Sequence, residues 1–214
     1  MGILIRPASP EDATFIAKVI LLAARSHLKS GFWDIALGGI EEDCLYYLKR
    51  LAVTPTCSSH HYSRFILAEV DGCRAAGLCG FDPGRSGASA LLDAMNEVAD
   101  ELGWSTMRLN EVLKRFLPIS TCFSDSSEGT WVIENVATLP EFRRRGLITL
   151  LLNEILEIGK QNGHHIAQIT IMIGNTAAQR AYEKAGFKGV DEKRHSDFKA
   201  IVGEPGMRRL LRDL

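Results

Sequence analysis

The sequence has no long apolar run and little net charge, and each absence excludes a class of protein. No apolar segment of the 214 residues reaches the length of about 20 that a membrane-spanning helix needs. The N-terminal residues lack a charged region followed by an apolar core, so no signal peptide is expected. A formal net charge of −1 argues against nucleic-acid binding, which usually needs a broad basic surface. We therefore expect a cytoplasmic protein with no membrane partner and no nucleic-acid partner.

Disulfide and metal frameworks are also missing from the sequence. The five cysteines are odd in number and form no C-x-x-C pair, which favours free thiols in a reducing compartment. No cluster of His, Cys and carboxylates has the spacing of metal ligands, so no metal is expected. The adjacent pairs His60-His61 and His164-His165 are interpreted as solvated loop residues. Hydrophobic residues make up 46% of the chain, which is enough for a stable core without such frameworks.

The apolar patterning predicts an α/β protein with a mixed sheet and helices on both faces. Strands are predicted at 3–6, 64–70, 75–81, 130–138, 165–173, 187–193 and 207–211, and helices at about 10–27, 40–52, 147–162 and 177–185. Asp71-Gly72 indicates a hairpin between two of the strands. Segment 31–39, which carries Phe32 and Trp33, and segment 194–206 are predicted to be loops. Hairpins combined with strand–helix alternation favour a mixed sheet over a doubly wound parallel one.

Residues 84–128 differ in pattern from the rest of the chain. They contain two apolar stripes at helical spacing, separated by Gly103 and followed by Pro118. We interpret them as a helical pair inserted into a single domain that spans residues 1–214. The pair either packs as ordinary core or forms a lid over a substrate pocket. Exposed apolar surface on these helices would be compatible with a homodimer.

A basic turn joins a strand to an amphipathic helix in the middle of the chain. The strand is 130–138, and the turn contains Arg143, Arg144, Arg145 and Gly146. The first N–H groups of a helix have no partner within it and lie at the positive end of its dipole, so they attract anions. The arginines add fixed charge and bidentate donors. The turn is therefore predicted to bind the pyrophosphate of a coenzyme, with a solvated surface turn as the alternative.

A second pattern strengthens this prediction and points to a family. The first motif reads Leu139-Pro140-x-x-Arg143-x-Arg145-Gly146-Leu147, and the second reads Asn175-x-x-Ala178-x-x-x-Tyr182-x-x-x-Gly186-Phe187. Each follows a predicted strand and leads into a predicted helix. In this order the two motifs resemble the GNAT superfamily of N-acetyltransferases, which use acetyl-CoA. The resemblance covers 131–188 and, less specifically, the N-terminal I-R-P-A-x-x-E-D, and it does not extend to 84–128.

The resemblance implies a central, mostly antiparallel sheet in which strands 131–138 and 165–173 run parallel and then splay. Acetyl-CoA would lie in the gap, where its pantetheine amides would pair with the backbone groups left free by the splaying. That backbone contact would come from Val136, Ala137 and Thr138. The pyrophosphate contacts would come from Arg143, Arg144, Arg145, Gly146, Leu147, Ile148 and Thr149. The opposite wall would contribute Asn175 and Ala178.

One position departs from the family pattern, which is Arg/Gln-x-x-Gly-x-Gly/Ala. Arg143 and Gly146 fit, but Ile148 stands where a small residue lets phosphate approach the backbone closely. A helix can accept Ile148 if its side chain points into the core, so we expect coenzyme binding to survive with a shifted phosphate. The departure also motivates a non-catalytic acyl-CoA-binding module as an alternative function.

Amine acetylation moves two protons, and the sequence offers one candidate for each transfer. Glu134 lies in the middle of an apolar strand, where burial would raise its pKa toward that of a useful base. A water chain is the alternative base, and an outward-facing carboxylate is the alternative interpretation of Glu134. Its neighbour Asn135 is expected on the other face of the strand, so that only one of the two reaches the cleft.

The resemblance places Tyr182 near the coenzyme sulfur, where its hydroxyl would protonate the departing thiolate. A packed aromatic residue is the alternative for Tyr182. A backbone N–H near 136–138 would hold the oxyanion.

The favoured function is the transfer of an acetyl group to the primary amine of a small molecule. A protein lysine or N-terminal amine is the alternative acceptor. The segments expected to select the acceptor are 31–39, 84–128 and 194–206, because substrate determinants lie in the variable parts of a shared fold.

Overall fold

The computed structural model describes residues 2–126 and 129–214, and in these residues seven strands form one sheet. The strands are β1 (Ile3–Pro7), β2 (Phe65–Val70), β3 (Cys73–Phe81), β4 (Thr130–Thr138), β5 (Ile166–Met172), β6 (Lys188–Arg194) and β7 (Gly206–Asp213). The helices are α1 (Ala13–Arg25), α2 (Phe32–Leu37), α3 (Glu41–Leu51), α4 (Pro83–Ser86), α5 (Ala88–Glu101), α6 (Thr106–Ser120), α7 (Leu147–Gln161), α8 (Thr176–Lys184) and α9 (Ser196–Val202).

The strand order is β1-β2-β3-β4-β5-β7-β6. Neighbouring strands are antiparallel except for β4 and β5, which run parallel. The predicted fold class, a mostly antiparallel mixed sheet with one parallel pair, is therefore confirmed. No helix in the described ranges combines the length and the apolar character needed to cross a membrane. All five cysteines are free thiols.

Alternating strand residues divide between two hydrophobic cores on opposite faces of the sheet. Phe65 and Leu67 of β2 pack in the core formed with α1, α2, α3, α5 and α6. Their neighbours Ile66 and Ala68 pack in the core formed with α7 and α8. This period of two is what a strand buried on both faces requires. The helices therefore cover both faces, as the patterning predicts.

Two segments predicted to be loops contain short helices instead. Segment 31–39 contains α2, which begins after Gly31, whose N–H donates to the Asp34 carboxylate at 2.8 Å. Segment 194–206 contains α9, where the His195 ring accepts from the Asp197 N–H at 3.2 Å. Both helices are too short to show apolar periodicity, and side-chain caps stabilise them.

The predicted helical pair at 84–128, of which residues 127–128 lie outside the described part of the chain, is present with one difference from the prediction. The segment between β3 and β4 contains α4, α5 and α6, and α5 and α6 correspond to the two apolar stripes. Pro118 lies inside α6 rather than after it, close to the last residue, Ser120. The stripe residues Met95 and Val98 of α5 and Val112 of α6 are buried in the α1-side core.

The helix α7 approaches the sheet closely because glycines face the Trp131 indole. A Cβ built on Gly159 of α7 would lie 2.6 Å from Trp131 Cδ1. One built on Gly80 of β3 would lie 2.7 Å from Trp131 Nε1. Trp131 is itself buried, so the ring has little room to move. This contact sets how closely the C-terminal half of α7 approaches the sheet.

We expect Gly159→Ala to destabilise the protein by about 1–3 kcal/mol through overpacking against Trp131. Helix propensity alone predicts the opposite sign, a gain of about 0.5–1 kcal/mol. Urea unfolding measures the difference, and Asn153→Ala, at an exposed position of the same helix, is the matched control. A stabilised Gly159→Ala protein would contradict this packing.

Candidate functional site

The parallel strands β4 and β5 are paired only over their first residues. Their register runs from Thr130 opposite Ile166 to Ile133 opposite Ile169, and the pairing ends there. Beyond Ile133, β4 pairs only with β3, and β5 pairs with β7. The edge of β4 that would face β5 therefore opens onto a cleft of about 1490 Å³. The predicted splaying is present.

A β-bulge changes the direction of β4 where the cleft begins. Gly77 of β3 pairs with Ala137, whereas Cys79 pairs with Glu134, so β4 has one extra residue in this interval. Asn135 takes up that residue with a φ of 52°, a left-handed conformation that asparagine tolerates. Because of the bulge, Glu134 and Asn135 both line the cleft. The expectation that they occupy opposite faces is therefore wrong.

Glu134 lies half-buried in the cleft wall, on the strand directly before the bulge. Burial raises its pKa to about 7, because the ionised carboxylate is poorly solvated there. Its backbone carbonyl accepts from the buried Cys79 thiol at 3.4 Å, which anchors this part of β4 to β3. A carboxyl group with this pKa can take up and release a proton near neutral pH.

The basic turn after β4 has the geometry of an anion site. Arg144 and Gly146 both have left-handed backbones, with φ of 62° and 73°. The first α-helical bond of α7 runs from the Leu150 N–H to the Gly146 carbonyl at 3.3 Å. The preceding N–H groups, those of residues 147–149, therefore have no partner within the helix. A Cβ at Gly146 would meet no atom within 4 Å, so the turn is open at this residue.

The arginine side chains of this turn are exposed, and two of them have partners within it. Arg143 Nε donates to the Thr138 carbonyl at 3.4 Å. The Arg145 guanidinium lies 5.2 Å from the centre of the Phe142 ring. Ile148 is half-buried against the core under α7, so the helix begins regularly despite the departure from the family pattern.

The opposite wall is built by the start of α8. Asn175 caps this helix, accepting from the Ala178 N–H at 3.0 Å, and its amide NH₂ donates to Ser26 Oγ at 2.7 Å. The side chain of Asn175 is thus held at both ends and ties α8 to the end of α1. Tyr182 is 6% exposed, and burial raises its pKa, so its hydroxyl remains protonated and able to donate.

The residues predicted from the sequence come together in one place. All fourteen line the same cleft, namely Glu134, Val136, Ala137, Thr138, Arg143, Arg144, Arg145, Gly146, Leu147, Ile148, Thr149, Asn175, Ala178 and Tyr182. Their roles as catalytic or coenzyme-binding residues stay predictions.

The histidine pair His60-His61 is buried, not solvated as expected. His60 lines the cleft, with Ser59 Oγ 3.0 Å from its Nδ1 and the Trp33 ring centre 5.4 Å from its own. Burial lowers its pKa to about 4, so the ring is neutral at physiological pH. No local sequence signal distinguishes this loop, because the covering ring comes from α2. Among the described residues, no group of His, Cys and carboxylates is arranged to hold a metal ion.

The comparisons with known proteins agree with this geometry. The model of the acetyltransferase (GNAT) family matches residues 32–187. The chain therefore belongs to the GNAT acetyltransferase family. No curated protein sequence matches the chain.

Solved structures of named acetyltransferases share the fold. A crystal structure of an acetyltransferase has a TM-score of 0.71 at 21% identity and covers 98% of both chains. An N-acetyltransferase from Staphylococcus aureus Mu50 has a TM-score of 0.66 at 22% identity and covers 98% of this chain and 100% of its own. PaiA N-acetyltransferase from Thermoplasma acidophilum, in complex with coenzyme A, has a TM-score of 0.51 at 14% identity and covers 100% of both chains.

The pKa of Glu134 makes stability depend on pH in a predictable direction. Its folded-state pKa of about 7 lies above the ordinary value of 4.5, so this group favours folding at low pH and the contribution is lost as the pH rises through 7. Glu134→Gln removes this dependence. We expect the melting temperature of the variant minus that of the wild type to increase as the pH is raised from about 5 to about 8. Glu154→Gln, at an exposed carboxylate on α7, should not reproduce that rise.

Proposed function

We propose that this protein is an acetyl-CoA-dependent N-acetyltransferase that acts on a primary amine of a small molecule. The observation that carries the proposal is the single cleft in which an unpaired strand edge, an anion-binding turn, Glu134 and Tyr182 meet. Each of these parts matches one requirement of the reaction. The strand edge suits the coenzyme arm, and the turn suits its pyrophosphate. Glu134 suits the amine proton, and Tyr182 suits the thiolate.

The chain's own residues fit the coenzyme. The free edge of β4 at Val136, Ala137 and Thr138 offers N–H and C=O groups to the pantetheine amides. The open N-terminus of α7 and its arginines offer donors to the pyrophosphate. Asn175 holds the opposite wall in place. PaiA N-acetyltransferase, which has this fold, was solved with coenzyme A, which supports this placement.

The proposed transfer is a direct attack of the amine on the thioester. An alkyl ammonium of pKa about 10 first loses a proton, for which Glu134 or a water chain leading to it is the acceptor. The amine nitrogen then bonds to the acetyl carbon, the C–S bond breaks, and the second amine proton leaves. The thiolate takes a proton from the Tyr182 hydroxyl, which is restored from solvent. The products are an N-acetyl amide and coenzyme A, with one proton released.

The choice of a small acceptor rests on how the cleft is covered. Gly87, Ala88 and Leu91, at and near the start of α5, and Phe116 of α6 line it, and we infer that α5 and α6 cover its acceptor side. A protein lysine needs an open groove that admits a backbone on both sides. The covered side therefore favours a small molecule over a protein lysine or N-terminus.

We expect purified protein to release thiol from acetyl-CoA slowly in water and much faster with a suitable primary amine. Gly146→Val should raise the KM for acetyl-CoA about tenfold or more, because a β-branched residue is strained at this φ and projects into the anion site. Thiol detection with an amine panel, together with calorimetry, measures both effects.

Gly103→Val is the matched control for Gly146→Val. Gly103 also has a left-handed backbone, with φ of 62°, and its Cβ would also meet no atom within 4 Å. It lies between α5 and α6, outside the cleft. The Gly103→Val variant should therefore have the same backbone strain as Gly146→Val but keep its affinity for the coenzyme. Equal affinities of the two variants would remove the phosphate assignment. Tight coenzyme binding without amine-dependent release would instead identify a non-catalytic acyl-CoA-binding module.

The Tyr182 hydroxyl should contribute to the chemical step and little to coenzyme binding. We expect Tyr182→Phe to lower kcat by about 100-fold, the usual size of a positioned general acid, with little change in the KM for acetyl-CoA. Tyr47→Phe is the control, because this tyrosine is equally buried and lies outside the cleft. Full kcat in Tyr182→Phe would show that the residue only packs.

A further inference from the structure

The charged residues that line the cleft are few and unevenly distributed along the chain. Among its described lining residues, Arg143, Arg144 and Arg145 are the only lysines or arginines, and all lie in the coenzyme turn. The carboxylates Asp82 and Asp125 also line the cleft, and Asp125 forms an ion pair at 2.9 Å with Lys193, whose Nζ also donates to the Phe123 carbonyl at 2.9 Å. A cationic amine would therefore rely on Glu134 for an opposite charge.

Aromatic rings form a connected cluster in the wall of the cleft. Phe32 and Trp33 come from α2, Phe116 from α6 and Phe123 from the segment after it, and all four line the cleft. The ring centres of Phe32 and Phe123 are 5.6 Å apart, those of Phe116 and Phe123 5.8 Å, and those of Trp33 and Phe116 5.9 Å. Neutral His60 continues the cluster beside Trp33. Such a surface binds a flat apolar body by ring packing and favours a nearby cation.

A buried amide with a free end lines the same cleft. Gln168 of β5 is 2% exposed, and its NH₂ donates to Ser126 Oγ at 3.3 Å, but its Oε1 has no partner among the described residues. The buried Ser124 Oγ likewise has no partner in that part of the chain. Exchanging the amide O and N leaves one end free in either orientation. An unsatisfied buried polar group costs about 1–3 kcal/mol, which a ligand that supplies the missing hydrogen bond would offset.

The register places this amide at a defined distance from Glu134. Gln168 is opposite Val132, and both side chains face away from α7, because their neighbours Ile133 and Ile169 pack under that helix. Glu134 follows Val132 by two residues. Ideal strand spacing would separate the Gln168 and Glu134 Cα atoms by about 8 Å, and the splaying of the strands beyond Ile133 adds to this distance. This span suits one aromatic ring with a two-carbon aminoalkyl arm.

We propose that the acceptor is a primary arylalkylamine, with its ring in the aromatic cluster, its amine at Glu134 and a ring hydrogen-bond donor at the Gln168 amide. This inference rests on the proposed acetyl transfer and names its substrate class. It makes Gln168 a specificity-determining residue. Phe32, Trp33, Phe116 and Phe123 form the site for the ring.

The test is a comparison of kcat/KM for matched amines in the acetyl-CoA thiol-release assay. Tyramine has the ring and the donor, 2-phenylethylamine has only the ring, 1,5-diaminopentane has a second cation instead, and a lysine peptide represents a protein acceptor. We expect tyramine to exceed 2-phenylethylamine by about tenfold or more, because its hydroxyl satisfies a buried polar group. Both should exceed 1,5-diaminopentane and the peptide.

Two variants separate the parts of the proposed site. Gln168→Leu should reduce the tyramine to 2-phenylethylamine ratio to about one, whereas Gln161→Leu, at an exposed position of α7, should leave the ratio as it is. Phe116→Leu should lower kcat/KM for both aromatic amines about threefold or more relative to 1,5-diaminopentane. Melting temperatures show whether each variant folds. The comparison of amines with the wild-type protein tests the proposal even if a variant does not fold.

The outcomes distinguish this inference from the function on which it rests. Preference for 1,5-diaminopentane or the peptide would overturn the arylalkylamine and leave acetyl transfer intact. Equal rates for tyramine and 2-phenylethylamine would overturn the role of Gln168. Coenzyme binding with no acceleration by any amine would overturn the proposed function and this inference with it.

Discussion

The parting of β4 and β5 after Ile133 is the constraint on which the rest of the site depends. Buried backbone groups need partners, and each one left without costs about 1–3 kcal/mol. The sheet tolerates the gap because β4 remains paired with β3 as far as Thr138, and β5 with β7 as far as Met172. Each strand is held on the far side of the gap by its outer neighbour. An extended ligand with amide groups is the kind of partner that such an edge fits.

The β4–α7 unit sets most of the distances in the cleft. Glu134 precedes the bulge, the free edge follows it, and the turn with Gly146 leads directly into α7. Leu147 and Leu151, in the first turns of α7, are buried in the core beneath the helix, so the helix N-terminus has little freedom relative to β4. Proton acceptor and anion site therefore belong to one short length of chain. Such local continuity keeps reacting groups in register, which matters because small displacements cost much in rate.

Features that depend on residues close together in the sequence could be predicted, whereas features that depend on contacts between distant segments could not. The strand, the basic turn and the helix after it have local signals, and all fourteen predicted residues line the cleft. The short helix α2 could not be predicted, because the Arg25–Asp34 ion pair and the Asp34 cap hold it rather than an apolar stripe. The bulge at Asn135 arises from pairing with β3, and His60 is buried by Trp33 from another element. Contacts between distant segments leave no periodic trace in the sequence.

Burial and an approaching cation act on the pKa of Glu134 in opposite directions. Burial is the cause of the raised pKa, because the ionised carboxylate is poorly solvated in the cleft wall. An ammonium group that binds beside Glu134 would favour its ionised form, because an opposite charge within a few ångströms lowers a carboxyl pKa. In the proposed complex, Glu134 would thus be protonated readily while the cleft is empty and ionised once a cationic acceptor lies beside it. The substrate itself would then prepare the base, which explains why an apolar wall and a carboxylate belong in the same pocket.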